Sequence, residues 1–83
     1  MKYSDEQGGL SDMQYNVNLE WDPDASVWVA TSDDIIGLVM EDGSLDALIV
    51  RIRMAVPELL ELNNQEAGDS IRFHCDREER LYA

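Results

Sequence analysis

The chain has 83 residues, a length that builds one small domain. Its 18 acidic and 6 basic side chains give a formal net charge of −12, which repels nucleic-acid phosphates and acidic membrane surfaces. A single cysteine rules out an internal disulfide, and no segment has the pattern of a signal peptide or a membrane-spanning helix. We therefore expect a cytoplasmic protein that binds neutral or basic partners.

Residues 1–12 are polar, contain the Gly8-Gly9 pair and offer little apolar surface to bury. Such a segment does not offset the entropy cost of becoming ordered, so it is predicted to be a flexible tail. Residues 13–83 are predicted to form one α+β domain. A core this small is marginal by itself, which favours a homodimer or a larger assembly.

The clearest periodicity lies between residues 13 and 21, where apolar and polar residues alternate. A period of two is typical of a β-strand with one buried face. The segment Asp22-Pro23-Asp24-Ala25-Ser26 follows, and its Pro and Asp residues favour a hairpin turn. Residues 27–31 are therefore predicted to pair antiparallel with the first strand. The apolar positions of that first strand are Met13, Tyr15, Val17, Leu19 and Trp21.

The second strand, Val27-Trp28-Val29-Ala30, carries apolar residues on both faces of the sheet. One helix cannot cover both faces, so we predict that part of this strand meets a loop, the tail or another copy, and the small size of the domain favours another copy. Trp28 is assigned to the core or to a self-interface, and a charge on the outward-facing side of the strand is expected to give monomer or aggregate. The candidate interface residues are Val27, Trp28, Val29, Asp22 and Asp24.

A third strand and a helix are predicted next. The run Leu38-Val39-Met40 fits a short strand that ends at the Asp42-Gly43 turn. Ser44 is placed to cap a helix, and Asp46 in the first turn complements the helix dipole. Apolar residues then recur at helical spacing and predict a helix that packs on the sheet. These residues are Leu45, Leu48, Ile49, Ile52, Val56, Leu59 and Leu60.

Pro57 complicates the predicted helix, because proline lacks a backbone donor and clashes with the preceding turn. We expect either a kink at Pro57 or a second short helix that starts there. After a loop over residues 63–70, Ile71, Phe73 and Cys75 alternate with polar residues and predict a final strand. The predicted fold class is α+β, with an antiparallel sheet of three strands, one packed helix and a last strand.

Candidate catalytic residues are few. Asp22, Asp24, Asp33 and Asp34 would suit a two-metal site only if their carboxylates converged, and turn residues are the favoured interpretation. His74 lies on the polar side of the last strand without an orienting partner in the sequence, so it is interpreted as a surface residue. Cys75 shares the phase of Phe73 and is predicted to be buried. We expect no catalytic residues, no metal and no cofactor.

From Tyr15 to Leu62 the chain resembles the N-terminal domain of HicB-type antitoxins, and more closely a short branch that carries only this domain. The matching features are the strand Tyr15–Glu20, the acidic turn Trp21–Asp24, the strand Val27–Ala30, the Asp34–Gly37 step and Ser44-Leu45-Asp46. The resemblance implies a partial ribonuclease H-like fold without catalytic residues. It also implies an antitoxin that neutralises a small basic RNA-cleaving toxin by binding it.

The chain departs from this family pattern in two ways. Complete antitoxins continue into a DNA-binding segment, whereas only Arg77 to Ala83 follow the last predicted strand, so we expect no direct binding of nucleic acid. Ile36 stands where many relatives have proline, and Leu48 where many have alanine, which changes the face expected to meet a toxin. The alternative is a homo-oligomeric binding domain without a toxin partner.

Overall fold

The computed structural model describes residues 13–76, apart from the side chain of Asp76, and forms one four-stranded sheet with one helix. The elements are β1 (Gln14–Asp22), β2 (Val27–Thr31), β3 (Val39–Asp42), α1 (Leu45–Leu62) and β4 (Ser70–Asp76). The predicted α+β class and the order of its elements are confirmed. The predicted tail over residues 1–12 and the segment 77–83 lie outside the described residues.

The strand order across the sheet is β3-β2-β1-β4. The hairpin pairs β1 with β2 antiparallel and places Trp21 opposite Trp28. β3 pairs antiparallel with β2, whereas β4 pairs parallel with β1 and places Phe73 beside Val17. The chain therefore crosses the whole sheet through α1, and β3 and β4 become its two edges. The parallel pairing of β4 is a feature that the alternation of its residues does not predict.

One face of the sheet is packed against α1, and this face forms the core. The α1 backbone lies next to β2 and β3 but, within residues 13–76, not next to β4. The loop between β2 and β3 closes the same side by burying Ile35 and Leu38. The core residues are Tyr15, Val17, Leu19, Trp28, Ala30, Ile35, Leu38, Leu48, Ile52, Val56 and Leu60.

Both ends of α1 are fixed by local hydrogen bonds. The Ser44 hydroxyl accepts from the backbone N–H of Ala47, which confirms the predicted N-cap. At the other end Asn64 adopts a left-handed φ of 56°, and the N–H groups of Asn64 and Gln65 donate to the carbonyls of Glu61 and Leu60. This is a Schellman motif, which ends the helix and turns the chain towards β4.

Two sequence-based predictions on the covered side need correction. Pro57 lies inside one continuous helix, so the second short helix, one of its two predicted outcomes, is wrong, while the kink stays a prediction. Cys75 is exposed although it shares a face with the buried Leu19, its neighbour on β1. The physical reason is that α1 does not reach β4, so facing the covered side is not enough to bury a residue on this edge strand.

Trp28 belongs to the core, which was one of its two predicted assignments. Its side chain is 6% exposed and packs edge to face against Trp21 at a ring-centroid distance of 5.6 Å. Val27 and Val29, which alternate with it, lie half-buried on the opposite face of the sheet. The strand is therefore apolar on both faces, and no helix of residues 13–76 covers the second face.

Candidate functional site

The hairpin turn between β1 and β2 is built by its own aspartate. One carboxylate oxygen of Asp22 accepts from the backbone N–H groups of Asp24 at 3.0 Å and Ala25 at 3.4 Å. Ser26 completes the reversal with a left-handed φ of 57°. The turn interpretation of Asp22 is confirmed, while Asp24 stays exposed at the tip, where it is accessible to a partner.

The four aspartates considered for metal binding do not converge. Asp34 contacts Asn16 near the start of β1, whereas Asp22 ends that strand six residues later. This separation is about 20 Å along a strand, far more than two bridged metal ions allow. Within residues 13–76, no group of three or more His, Cys, Asp or Glu side chains is placed to hold a metal ion.

A polar cleft of about 310 Å³ opens on the sheet face away from α1. Asn16 links two of its walls, because its side-chain amide donates to Asp34 at 2.9 Å and its oxygen lies 2.9 Å from Nε2 of His74. A carboxylate only accepts, so this orientation of the amide requires Nε2 of His74 to carry the proton. His74 thus has an orienting partner that sequence analysis missed. Asn18 and Asp33 complete the lining.

Asp34 is held in its charged form by hydrogen bonds. The backbone N–H of Asn16 donates to its carboxylate at 2.8 Å, and this bond, followed by that of the Asn16 amide, lowers the pKa of Asp34 below its ordinary value. The charge does not activate His74, because a neutral amide stands between the two groups and relays no proton. The cleft therefore lacks the direct carboxylate-to-histidine contact of an acid-base pair.

The loop over residues 32–38 is fixed from both sides. The Ser32 hydroxyl donates to the carbonyl of Asn16 at 2.6 Å and accepts from the N–H groups of Asp34 and Ile35 at 3.0 Å. The Gln65 side chain donates to the carbonyl of Asp34 and accepts from the N–H of Ile36. These contacts attach the 32–38 loop to Asn16 of β1 and to Gln65. They thereby fix the position of Asp34, which lines the polar cleft.

The valine patch, defined as Val27, Val29 and Val39, is the apolar part of the open sheet face. Val29 lies on β2 directly between Glu20 of β1 and Glu41 of β3. Val39 is 72% exposed on the outer edge strand. Three of the predicted interface residues, Val27, Val29 and Asp22, share this face, because Asp22 stands opposite Val27. The surface is therefore apolar at its centre and acidic around it.

The β4 groove is a second apolar surface, on the covered side of the sheet. It has a volume of about 710 Å³ and separates the C-terminal half of α1 from β4. Its apolar lining comes from Tyr15, Val56, Pro57, Leu60, Ile71 and Phe73. The period of two in β4 predicts which residues face this side, but nothing in that period indicates that the helix stops short of them.

The walls of the β4 groove are braced at its open end. The Tyr15 hydroxyl donates to the carbonyl of Glu66, and the N–H of Asp69 donates to the carbonyl of Met13 at 2.9 Å. Gly68 sits against the Tyr15 ring so closely that a methyl group there would lie 2.7 Å from two ring carbons. Contacts between β1 and the loop that leads into β4 thus fix the shape of the groove.

Within residues 13–76 the helix lacks the apolar length that crossing a bilayer requires. The family model described as Domain of unknown function (DUF1902) matches residues 14–83. The crystal structure of hypothetical protein TTHA1013 from the extremely thermophilic bacterium Thermus thermophilus is similar, with 34% identity and a TM-score of 0.66. The match covers 84% of this chain and 99% of the Thermus chain. No curated protein matches the chain.

Proposed function

The chain belongs to the DUF1902 family, and we propose that it acts as a non-catalytic protein-interaction module. The observation that carries this proposal is the valine patch, an apolar surface that no helix of residues 13–76 covers and that carboxylates enclose, on a chain of net charge −12. Exposed apolar surface with a charged rim is typical of a protein-binding site. The polar cleft supports the same conclusion, since His74 there is oriented by a neutral amide.

The partner that best fits the valine patch is a small basic protein. Glu20, Glu41 and Asp22 surround the three valines, so an incoming cationic surface is attracted and oriented by them. Residues 13–76 hold 13 of the 18 acidic side chains but three of the six basic ones, so the field over this face attracts cations.

The resemblance to HicB-type antitoxins supplies a specific version of this proposal. The chain would neutralise a small basic RNA-cleaving toxin by binding it, and it would do so without contacting nucleic acid itself. The second candidate function is a homo-oligomeric binding domain with no toxin partner. The apolar surface that residues 13–76 leave open on both faces of the sheet favours that alternative as well.

The test uses the product of a neighbouring reading frame that encodes a small basic protein. We expect the purified product to bind this chain and to lose its RNA-cleaving activity when the two are mixed at equal concentration. Val29→Lys places a cation at the centre of the patch and should weaken binding at least tenfold, equivalent to about 1.4 kcal/mol. Titration calorimetry and an RNA-cleavage assay measure the two effects.

Val50→Lys is the matched control, because Val50 is 51% exposed on α1 and outside the patch. It should bind as the unmodified chain does. Equal weakening by both substitutions would show that the valine patch is not the contact surface. Failure of the basic protein to bind the unmodified chain would contradict the antitoxin-like function itself.

A further inference from the structure

We infer that the β4 groove and the outer edge of β4 form the surface through which two copies of this chain join. The inference is independent of the proposed partner, because the valine patch lies on the opposite face of the sheet. It assigns a location to the predicted self-association, which the sequence analysis had placed on β2.

The outer backbone edge of β4 is the first feature that favours pairing with a second copy. β4 has seven residues and pairs with β1 on one side, and no strand of residues 13–76 pairs with its other side. A long edge strand presents a row of backbone donors and acceptors that readily pair with another strand. β4 carries no proline and no bulge that would block such pairing.

An apolar surface lies beside that edge, on the covered side of the sheet. Ile71 and Phe73 are only half-buried because α1 stops short of them, and Pro57 and Val56 form the facing wall. The apolar strip that Ile71 and Phe73 form continues along β4 to the exposed Cys75. Covering it would remove from water the apolar side chains that line a groove of about 710 Å³, which provides a driving force for association.

The distribution of charge favours a second copy as the occupant of this surface. Most of the molecule is strongly acidic, so two copies repel each other over most orientations. The β4 side is the exception, because two of the three arginines of residues 13–76, Arg53 and Arg72, lie there. They nearly balance the acidic positions Glu61, Asp69 and Asp76. Two positive against three negative side chains make like-charge repulsion weaker here than over residues 13–76 as a whole, which hold three basic and 13 acidic side chains.

The geometry of β4 is also self-complementary. A two-fold axis perpendicular to the sheet pairs β4 antiparallel with its own copy and keeps each side chain on its original face. Ile71 and Phe73 of both copies then meet on the groove side, while Arg72 and His74 remain on the open face. Two four-stranded sheets become one continuous sheet, and both valine patches stay accessible.

Cys75 is a native reporter for this arrangement, since it is the one cysteine of the chain and lies exposed on β4. We expect the full-length chain to sediment as a dimer at micromolar concentration. A bis-maleimide with a spacer of about 15 Å, the length of four to five strand residues, should join the copies through Cys75. The crosslinked fraction should follow the dimer fraction on dilution, and Cys75→Ser should abolish it.

Phe73→Asp places a charge in the β4 groove and should weaken the dimer at least tenfold in sedimentation equilibrium. Val39→Asp is the matched control on the opposite edge strand and should leave the dimer unchanged. Circular dichroism and tryptophan fluorescence verify that both variants are folded. If Phe73→Asp does not fold, crosslinking of the unmodified chain still decides the question.

Three results would overturn the inference. The first is a monomer at every accessible concentration, as would occur if the terminal segments of the same chain occupied the edge. The second is a dimer that does not crosslink through Cys75. The third is a dimer that Val39→Asp dissociates and Phe73→Asp does not. A dimer that fails only with Phe73→Asp supports the inference whether or not a basic partner exists.

Discussion

The two edge strands of the sheet differ in length and in how far the other elements of residues 13–76 cover them. β3 has four residues, α1 packs beside it, and Arg51 reaches across to the Glu41 carbonyl at 3.0 Å and the Asp42 carboxylate at 3.2 Å. β4 has seven residues, and a groove separates it from α1. Short, charged and covered edges resist pairing with other strands, whereas long uncovered edges favour it. Residues 13–76 therefore close one edge of the sheet by themselves and leave the other open to a second chain.

The largest expected effect is on the free energy of unfolding, and it distinguishes an isoleucine of the core from an isoleucine of β4. Ile52 in α1 is 0% exposed, so Ile52→Ala should lower the free energy of unfolding by about 2–5 kcal/mol. Ile71 on β4 is half-buried, so Ile71→Ala in the monomer should cost about 1 kcal/mol. Urea denaturation measures both. Equal costs at high dilution would mean that the β4 side is packed as tightly as the core.

The costs of Ile52→Ala and Ile71→Ala should also differ in how they depend on protein concentration. If Ile71 is buried between two copies, the cost of Ile71→Ala should grow with concentration, because the dimer is linked to folding. The cost of Ile52→Ala should not change in this way. A concentration-independent cost for both substitutions would remove the distinction between the two sides.

A second prediction concerns the glycine that shapes the β4 groove. A methyl group at Gly68 would approach the buried Tyr15 ring to 2.7 Å and the Met13 carbonyl to 3.2 Å. Since neither group moves easily, Gly68→Ala should destabilise the fold by about 1–3 kcal/mol. Gly43→Ala, next to β3, is the control, because its methyl group would lie 3.8 Å from the nearest atom. Thermal unfolding of the two variants should separate them clearly.

A third prediction tests how the covered side is closed. Ser32→Ala removes one donor and leaves the N–H groups of Asp34 and Ile35 without their acceptor, which should cost about 1–3 kcal/mol. Ser70→Ala on β4 removes a single exposed contact with Gln14 and should change stability by less than about 0.5 kcal/mol. Similar losses for both variants would show that the 32–38 loop is not a structural requirement.

The sequence predicts the covered side better than the β4 side, and the reason is physical. Ser44 and the helical spacing of Leu48, Ile52 and Val56 are local signals, and the structure confirms each of them. The fate of Cys75 depends on how far a helix formed some 20 residues earlier extends over the sheet, which no local period encodes. Its predicted burial was therefore wrong.

Two other features of the site were also beyond local patterns. The parallel pairing of β4 with β1 places His74 beside Asn16, two residues that are 58 positions apart in the chain. The Gln65 clamp on the 32–38 loop likewise joins residues about 30 positions apart. Such contacts follow from the tertiary arrangement of the strands. By contrast, the turn role of Asp22 was predictable, because its hydrogen bonds lie within three residues.

The smallest predicted effect is a dependence of stability on acid, and it arises away from the β4 edge. Hydrogen bonds from the backbone N–H groups of Asn16 and Ser44 lower the pKa values of Asp34 and Asp42, respectively. A carboxyl group whose pKa is lower in the folded state adds stability above its unfolded pKa of about 4 and loses it as the pH falls further. Stability should therefore decline below about pH 4.

Substitutions at Asp34 and Asn16 should reduce this dependence on pH to different extents. Asp34→Asn removes the titrating group, so the decline should become shallower. Asn16→Ala removes the side-chain donor but keeps the backbone donor, so the decline should change only in part. Denaturation midpoints measured at a series of acidic pH values test whether Asp34→Asn changes the decline more than Asn16→Ala does. An unchanged slope for Asp34→Asn would contradict the account of its pKa.

The most direct test of the central claim is amide hydrogen exchange of the full-length chain, followed by NMR at two protein concentrations. We predict that amides of β4, residues 70–76, exchange more slowly at the higher concentration, because pairing with a second copy protects them. Amides of β3, residues 39–42, should exchange at the same rate at both concentrations. Slowing at β3 instead of β4, or no dependence on concentration at either edge, would contradict the claim that β4 is the edge left for a second copy.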